Sequence, residues 1–148
     1  MRRETVGRPM EILLVEDSLT AARLTIGALK NGGLEHRMTW LTDGLEASEF
    51  LHRIGKFARA PQPDLVLLDM MLPGKSGREL LEEMRSNDDL KGIPVVIMTG
   101  TVAADAAADL QQLHVQGFLT KPVDLEDFLK LVEELKGYWK ADMIVPTQ

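Results

Sequence analysis

Four positions along the chain carry residue types that phosphoryl chemistry needs: Glu16-Asp17, Asp69, Thr99 and Lys121-Pro122. Each stands just after, or one residue beyond, a short apolar run. A sheet of parallel strands would deliver three carboxylates, one hydroxyl and one ammonium to a single edge. Three carboxylates in close quarters repel one another and stay ionised only with a cation among them. An open cluster of oxygen ligands suits Mg²⁺, which keeps several waters and bonds one or two carboxylates. Such an ion offsets the charge that accumulates as a phosphate approaches a carboxylate. Lys121 and Thr99 would hold further phosphoryl oxygens by charge-assisted and hydroxyl hydrogen bonds. The set has the parts for an aspartyl phosphate. Taken singly, each piece has a plainer explanation. Asp17 and Ser18 suit a helix N-terminus, Asp69 or Thr99-Gly100 a turn, and Lys-Pro says almost nothing. Their joint occurrence after four strands of one chain carries the inference.

The elements that must position these residues are legible in the apolar pattern. Residues 12–15, 65–68 and 95–98 are short continuous apolar runs, as strands covered on both faces require. Phe118 and Leu119 make a shorter fifth candidate after Gly117, and residues 36–41 alternate polar with apolar. Helical stripes lie between them. Leu19, Ala22, Ile26 and Leu29 form the first, stopped by Gly32-Gly33. Ala47, Phe50, Leu51 and Ile54 form the second. Leu80, Leu81 and Met84 form the third, opened by the capping-box sequence Ser76-Gly77-Arg78-Glu79. Ala103, Ala106, Ala107 and Leu110 form a thinly apolar fourth. Leu125, Phe128, Leu129 and Val132 form the fifth, with Asp124 as its N-cap. Residues 55–63 read as a loop. Alternation of buried strands with amphipathic helices predicts an α/β fold, five βα units around a doubly wound parallel sheet.

Composition bounds the rest. At 148 residues, with 45% hydrophobic and 27% charged, the chain suits one globular domain. With a net charge of −6 and dispersed Lys and Arg, no direct nucleic-acid partner is expected. No apolar run approaches a membrane span. The absence of cysteine excludes disulfides and thiolate metal sites and suits a reducing cytoplasm. The expected organisation is a loose arm over 1–9, a single domain over 10–137 and a tail over 138–148.

The set Glu16-Asp17, Asp69, Thr99 and Lys121-Pro122, with the stretch Asp69-Met70-Met71-Leu72-Pro73-Gly74-Lys75-Ser76-Gly77, resembles the receiver domain of bacterial response regulators over residues 10–136. The resemblance implies a flavodoxin-like strand order 2-1-3-4-5. It implies that Asp69 is the phosphoacceptor, and that Asp17, Asp69 and the backbone carbonyl of Met71 bind Mg²⁺. Glu16 would act on the metal, usually through water, where the family often has Asp. Thr99 and Phe118 would be the switch residues, Phe118 standing where the family often has Tyr. Lys121 would pair with the phosphate, and the Lys121-Pro122 peptide would be cis. The implied partner is a sensor histidine kinase. The loop over 55–63 and the tail with Tyr138-Trp139 look like those of small regulators paired with bacterial phytochrome kinases. Such a protein is no enzyme in the ordinary sense, though it assists its own phosphotransfer and slow dephosphorylation.

Output would then be contact with a protein. The apolar set of the fifth helix, Leu125, Phe128, Leu129, Leu131, Val132 and Leu135, spans about 160° at ~100° per residue. That width, with Tyr138, Trp139, Met143, Ile144 and Val145, predicts a homodimer through the fourth and fifth helices, the fifth strand and the tail. The alternative is a tail folded over its own domain. Competing functions fail on their own motifs. A haloacid-dehalogenase-type phosphatase needs a second Asp two residues after the first, where this chain has Met71. A phosphate-cradling nucleotide loop needs Gly five positions before Gly74, where it has Asp69. A receiver-like scaffold that is never phosphorylated remains the alternative function. His36, His52 and His114 are scattered and read as ordinary residues, and Trp40 and Trp139 as packing or interface residues.

Overall fold

The computed structural model describes residues 8–100 and 110–139. Five strands form one parallel sheet in the order β2-β1-β3-β4-β5. They are β1 (Met10–Val15), β2 (His36–Leu41), β3 (Leu65–Asp69), β4 (Val95–Thr99) and β5 (Gly117–Thr120). The helices are α1 (Leu19–Lys30), α2 (Gly44–His52), α3 (Gly77–Arg85) and a C-terminal α4 (Leu125–Glu134). This is the expected doubly wound architecture and strand order.

Alternate residues of the inner strands enter two separate cores, because successive strand side chains point to opposite faces. Ile12, Leu14, Leu65, Leu67, Val96 and Met98 pack with Ala22 and Leu29 of α1 and Phe128 and Val132 of α4. Leu13, Val15, Val66, Leu68, Val95 and Ile97 pack with Ala47, Phe50 and Leu51 of α2 and Leu80, Leu81 and Met84 of α3. Each such side chain, fully buried, contributes roughly 1.5–3 kcal/mol. The paired strand ends bring β1 and β3 level, with Val15 beside Leu68, and β4 and β5 level, with Thr99 beside Thr120.

Helix starts are fixed by side-chain caps. Ser18, Asp43 and Asp124 each accept from the backbone N–H three residues on. At α3 the capping box is complete: Ser76 Oγ accepts from Glu79 N–H, and Glu79 Oε1 accepts from Ser76 N–H. The Ser76 backbone N–H, with the Ser76 hydroxyl, holds the Glu79 carboxyl below its ordinary pKa.

Two details differ from the sequence pattern, and a third lies mostly outside the described residues. Strands β3 and β4 each extend to their polar residue, Asp69 and Thr99, so these two are strand ends rather than turns. The second stripe stops short of Ile54, which is 55% exposed. Arg53 takes a left-handed conformation (φ 56°) that ends α2 and swings Ile54 away. The fourth helical stripe lies outside the described residues except Leu110, which is buried in the second core.

At the base of the sheet Arg85 acts as a clasp. Its guanidinium donates to the carbonyls of Lys91, Ile93, Leu113 and His114 and to Gln116 Oε1, at 2.9–3.1 Å. One side chain thereby joins the end of α3 to the approaches of β4 and β5. The first and the last described residues, Arg8 and Trp139, both bond to Asp64. Arg8 of the expected loose arm makes a two-point ion pair with its carboxylate (2.9 and 3.0 Å). Trp139 Nε1 donates to its carbonyl at 2.7 Å. The start of the tail thus folds onto its own domain, while residues 140–148 lie outside the described residues.

Two stability effects follow. Ser76→Ala removes the α3 cap and is expected to cost about 1 kcal/mol in urea unfolding. Met84→Ala, in the second core, is expected to cost about 2–5 kcal/mol. Equal urea midpoints for wild type and both variants would contradict these packing and capping assignments.

Candidate functional site

Glu16 and Asp17 lie between the end of β1 and the N-cap of α1, and Asp69 ends the neighbouring β3. Parallel pairing of β1 with β3 brings them together: one carboxylate oxygen from each lies within 4.8 Å of the other two. Among the described residues no other group of three acidic, histidine or cysteine side chains converges in this way. Lys121, just past β5, reaches across from the far side of the sheet. Its Nζ lies 2.8 Å from Glu16 Oε1 and 3.2 Å from Asp69 Oδ2. Its main-chain N–H donates to the carbonyl of Thr99 at 2.8 Å, which places Thr99 on the same edge. The Lys121-Pro122 peptide is cis.

The electrostatics are those of a crowded anionic cleft. Glu16 is fully buried and Asp69 nearly so, whereas Asp17 is exposed. Burial raises the pKa of Glu16, opposed mainly by Lys121. Burial also pulls on the Lys121 ammonium, but Glu16 and Asp69 together outweigh it and hold its pKa above that of an ordinary lysine. Three carboxylates against one ammonium leave two negative charges uncompensated, the charge of one divalent cation. Buried Glu16 Oε1 has the Lys121 ammonium as its counter-charge at 2.8 Å. The donor set is all oxygen, with Asp17 open to water. These features fit a hard cation such as Mg²⁺.

The remaining expected site residues fall around this cleft. Met71 lies two residues beyond Asp69; its N–H donates to Asp69 Oδ1 at 3.1 Å and its side chain is 80% exposed. Phe118, beside Ile97 in the sheet register, is half-buried against the second core. It also lines an outer groove with Asp127, Lys130, Leu131 and Glu134 of α4.

The sequence pattern did not single out two supporting groups. Trp40 packs against the first core, as expected, and its indole N–H also donates to the carbonyl of Glu16 at 2.7 Å. That bond fixes the backbone where the acidic pair leaves β1. The N–H of Ser18 donates to Glu16 Oε2 at 3.2 Å. The signal for Trp40 was available only as register: Trp40 pairs with Leu14, two residues before Glu16.

Comparison with known proteins agrees with this geometry. The family model described as response regulator receiver domain matches residues 12–133. The chain is 41% identical to response regulator Rcp1 of Synechocystis sp. over 138 residues, covering 93% of this chain and 94% of that protein. A crystal structure of the Mn²⁺-bound form of Rcp1 aligns with a TM-score of 0.74 over 94% of this chain and 100% of the other. The phosphorylated cyanobacterial phytochrome response regulator RcpA is 36% identical, with a TM-score of 0.74 over 94% and 99% of the two chains. The bacteriophytochrome response regulator RtBRR is 32% identical, with a TM-score of 0.80 over 90% and 81%. No described helix is long and apolar enough to cross a membrane. With a family model across most of its length and a close relative matched over nearly all of both sequences, the chain belongs to the response regulator receiver domain family.

Proposed function

We propose that the protein accepts a phosphoryl group on Asp69 from a phosphohistidine of a sensor histidine kinase, within a receiver unit spanning residues 10–137. The observation that carries this reading is the meeting of Glu16, Asp17 and Asp69 from two strand ends with Lys121 from a third. Asp17, Asp69 and the Met71 carbonyl would hold Mg²⁺, with Glu16 acting on it through water. When bound, Mg²⁺ supplies positive charge against the non-bridging oxygens of the transferring group.

The chain's own residues do the rest. The N–H of Met71 steadies one oxygen of the Asp69 carboxylate. The carboxylate attacks phosphorus in line; an O–P bond forms as the N–P bond to the kinase imidazole breaks, and the electron pair leaves with the imidazole. Lys121 holds a second phosphoryl oxygen and Thr99 a third. Drawing Thr99 toward the phosphoryl group leaves space into which Phe118 turns, which alters the outer groove between β5 and α4. Water later hydrolyses the acyl phosphate slowly. A groove of about 270 Å³ beside the cleft, lined by Ser18, Ala21, Leu24, Thr25, Lys121 and Pro122, offers a kinase helix a mainly apolar seat.

The likeness to phytochrome response regulators supports a phytochrome-type kinase as the partner, acting in the cytoplasm. For output, we propose a homodimer through β5 and α4. Asp127, Lys130 and Glu134 present both signs of charge along the groove, which suits a second copy related by a two-fold axis. Trp139 is withdrawn from that surface by its bond to Asp64.

Wild type should take up label from acetyl phosphate only with Mg²⁺ present, and Asp69→Asn should take up none. Undiminished labelling of that variant contradicts the assignment. In sedimentation, wild type should show twice the monomer mass with beryllofluoride and Mg²⁺. A monomeric mass with and without the mimic removes the dimer.

A further inference from the structure

The loop from Asp69 to α3 holds the Met71 N–H against the Asp69 carboxylate, and its height is set from outside the cleft. The N–H of Gly44, the first residue of α2, donates to the Pro73 carbonyl at 3.1 Å. A Cβ on residue 44 would lie 1.7 Å from Lys75 O and 2.6 Å from Lys75 C. Gly44 is therefore required by the closeness of the two backbones. Gly74 takes a left-handed conformation (φ +75°), and a Cβ there would lie 3.2 Å from Leu45 Cγ. Lys75 Nζ pairs with Glu83 Oε2 at 3.0 Å, and Ser48 Oγ of α2 donates to Glu83 Oε1 at 2.9 Å. At the near end, the N–H of Gly77 donates to the Met70 carbonyl at 3.3 Å, and a Cβ at 77 would meet Asp69 O at 2.7 Å. The loop is pinned at both ends and rests on the first turns of α2.

We propose that Gly44 is a positioning residue for the acidic cleft: the missing side chain lets the loop settle on α2, and that seating sets how tightly the cleft binds a divalent cation and how fast Asp69 accepts phosphate. The inference rests on the functional reading above. Gly44 touches none of the acidic residues. It acts through the carbonyls of Pro73 and Lys75, and so through Met71. Supports of this kind around a metal site alter affinity by about 10–100-fold when removed.

The test is Mn²⁺ affinity by calorimetry on the full chain, with acetyl phosphate labelling rates at saturating Mg²⁺. Gly44→Ala should weaken Mn²⁺ binding by about tenfold or more and slow labelling. Val132→Ala, in the opposite core, should lower the urea midpoint and leave Mn²⁺ affinity unchanged. A folded Gly44→Ala with wild-type Mn²⁺ affinity overturns the proposal. Should Gly44→Ala fail to fold, Lys75→Met carries the test. It keeps the aliphatic stem and removes the ion pair, so reduced Mn²⁺ affinity supports the seating and unchanged affinity overturns it. A wild-type chain that binds no Mn²⁺ overturns the functional reading itself, and the positioning role with it.

Discussion

Mutual repulsion among Glu16, Asp17 and Asp69 is the constraint around which the upper edge of the sheet is organised. Left alone, such a cluster would protonate or spread apart. Lys121 answers part of the charge, lying within 3.2 Å of two of the three. The residue of negative charge is what fits the cleft to a divalent cation, on which the proposed phosphoryl transfer depends. Burial, aided by Asp69, raises the pKa of Glu16, while Glu16 and Asp69 raise that of Lys121 against its own burial.

A rigid frame is needed to hold like charges close. The inner strands are buried on both faces and their side chains alternate between two cores, so neither strand can slip by one residue without turning its apolar set around. The acidic residues occupy strand ends or the first positions beyond them, anchored to that frame. At the opposite edge, Arg85 joins α3 to the approaches of β4 and β5 with all its donors engaged. Thr99 and Phe118, proposed above as the switch residues, stand on these same two strands, so the proposed movement would have a fixed base to work against.

The inner strands were legible because burial on both faces leaves a plain apolar run with a polar residue at its end, whereas their order was implied by the family resemblance. The caps were legible at Asp124 and Ser76, where a short polar side chain precedes an amphipathic stripe. What escaped the sequence depends on contacts between distant segments. Trp40 looked like a packing residue, since nothing local says that its indole reaches the Glu16 carbonyl. Gly44 carried no sequence signal, since the backbone it admits belongs to Lys75. Ile54 continued the α2 periodicity on paper, but a single left-handed residue before it redirected the chain. The two-point pairing of Arg8 with Asp64 likewise joins segments with no pattern in common.

The most direct measurement maps the site of modification. The chain is treated with acetyl phosphate and Mg²⁺, trapped by borohydride reduction and read by peptide mass spectrometry. The account predicts a reduced side chain at residue 69 alone, absent when Mg²⁺ is chelated. Trapping at residue 16 or 17 instead, or modification that persists without a divalent ion, would contradict it.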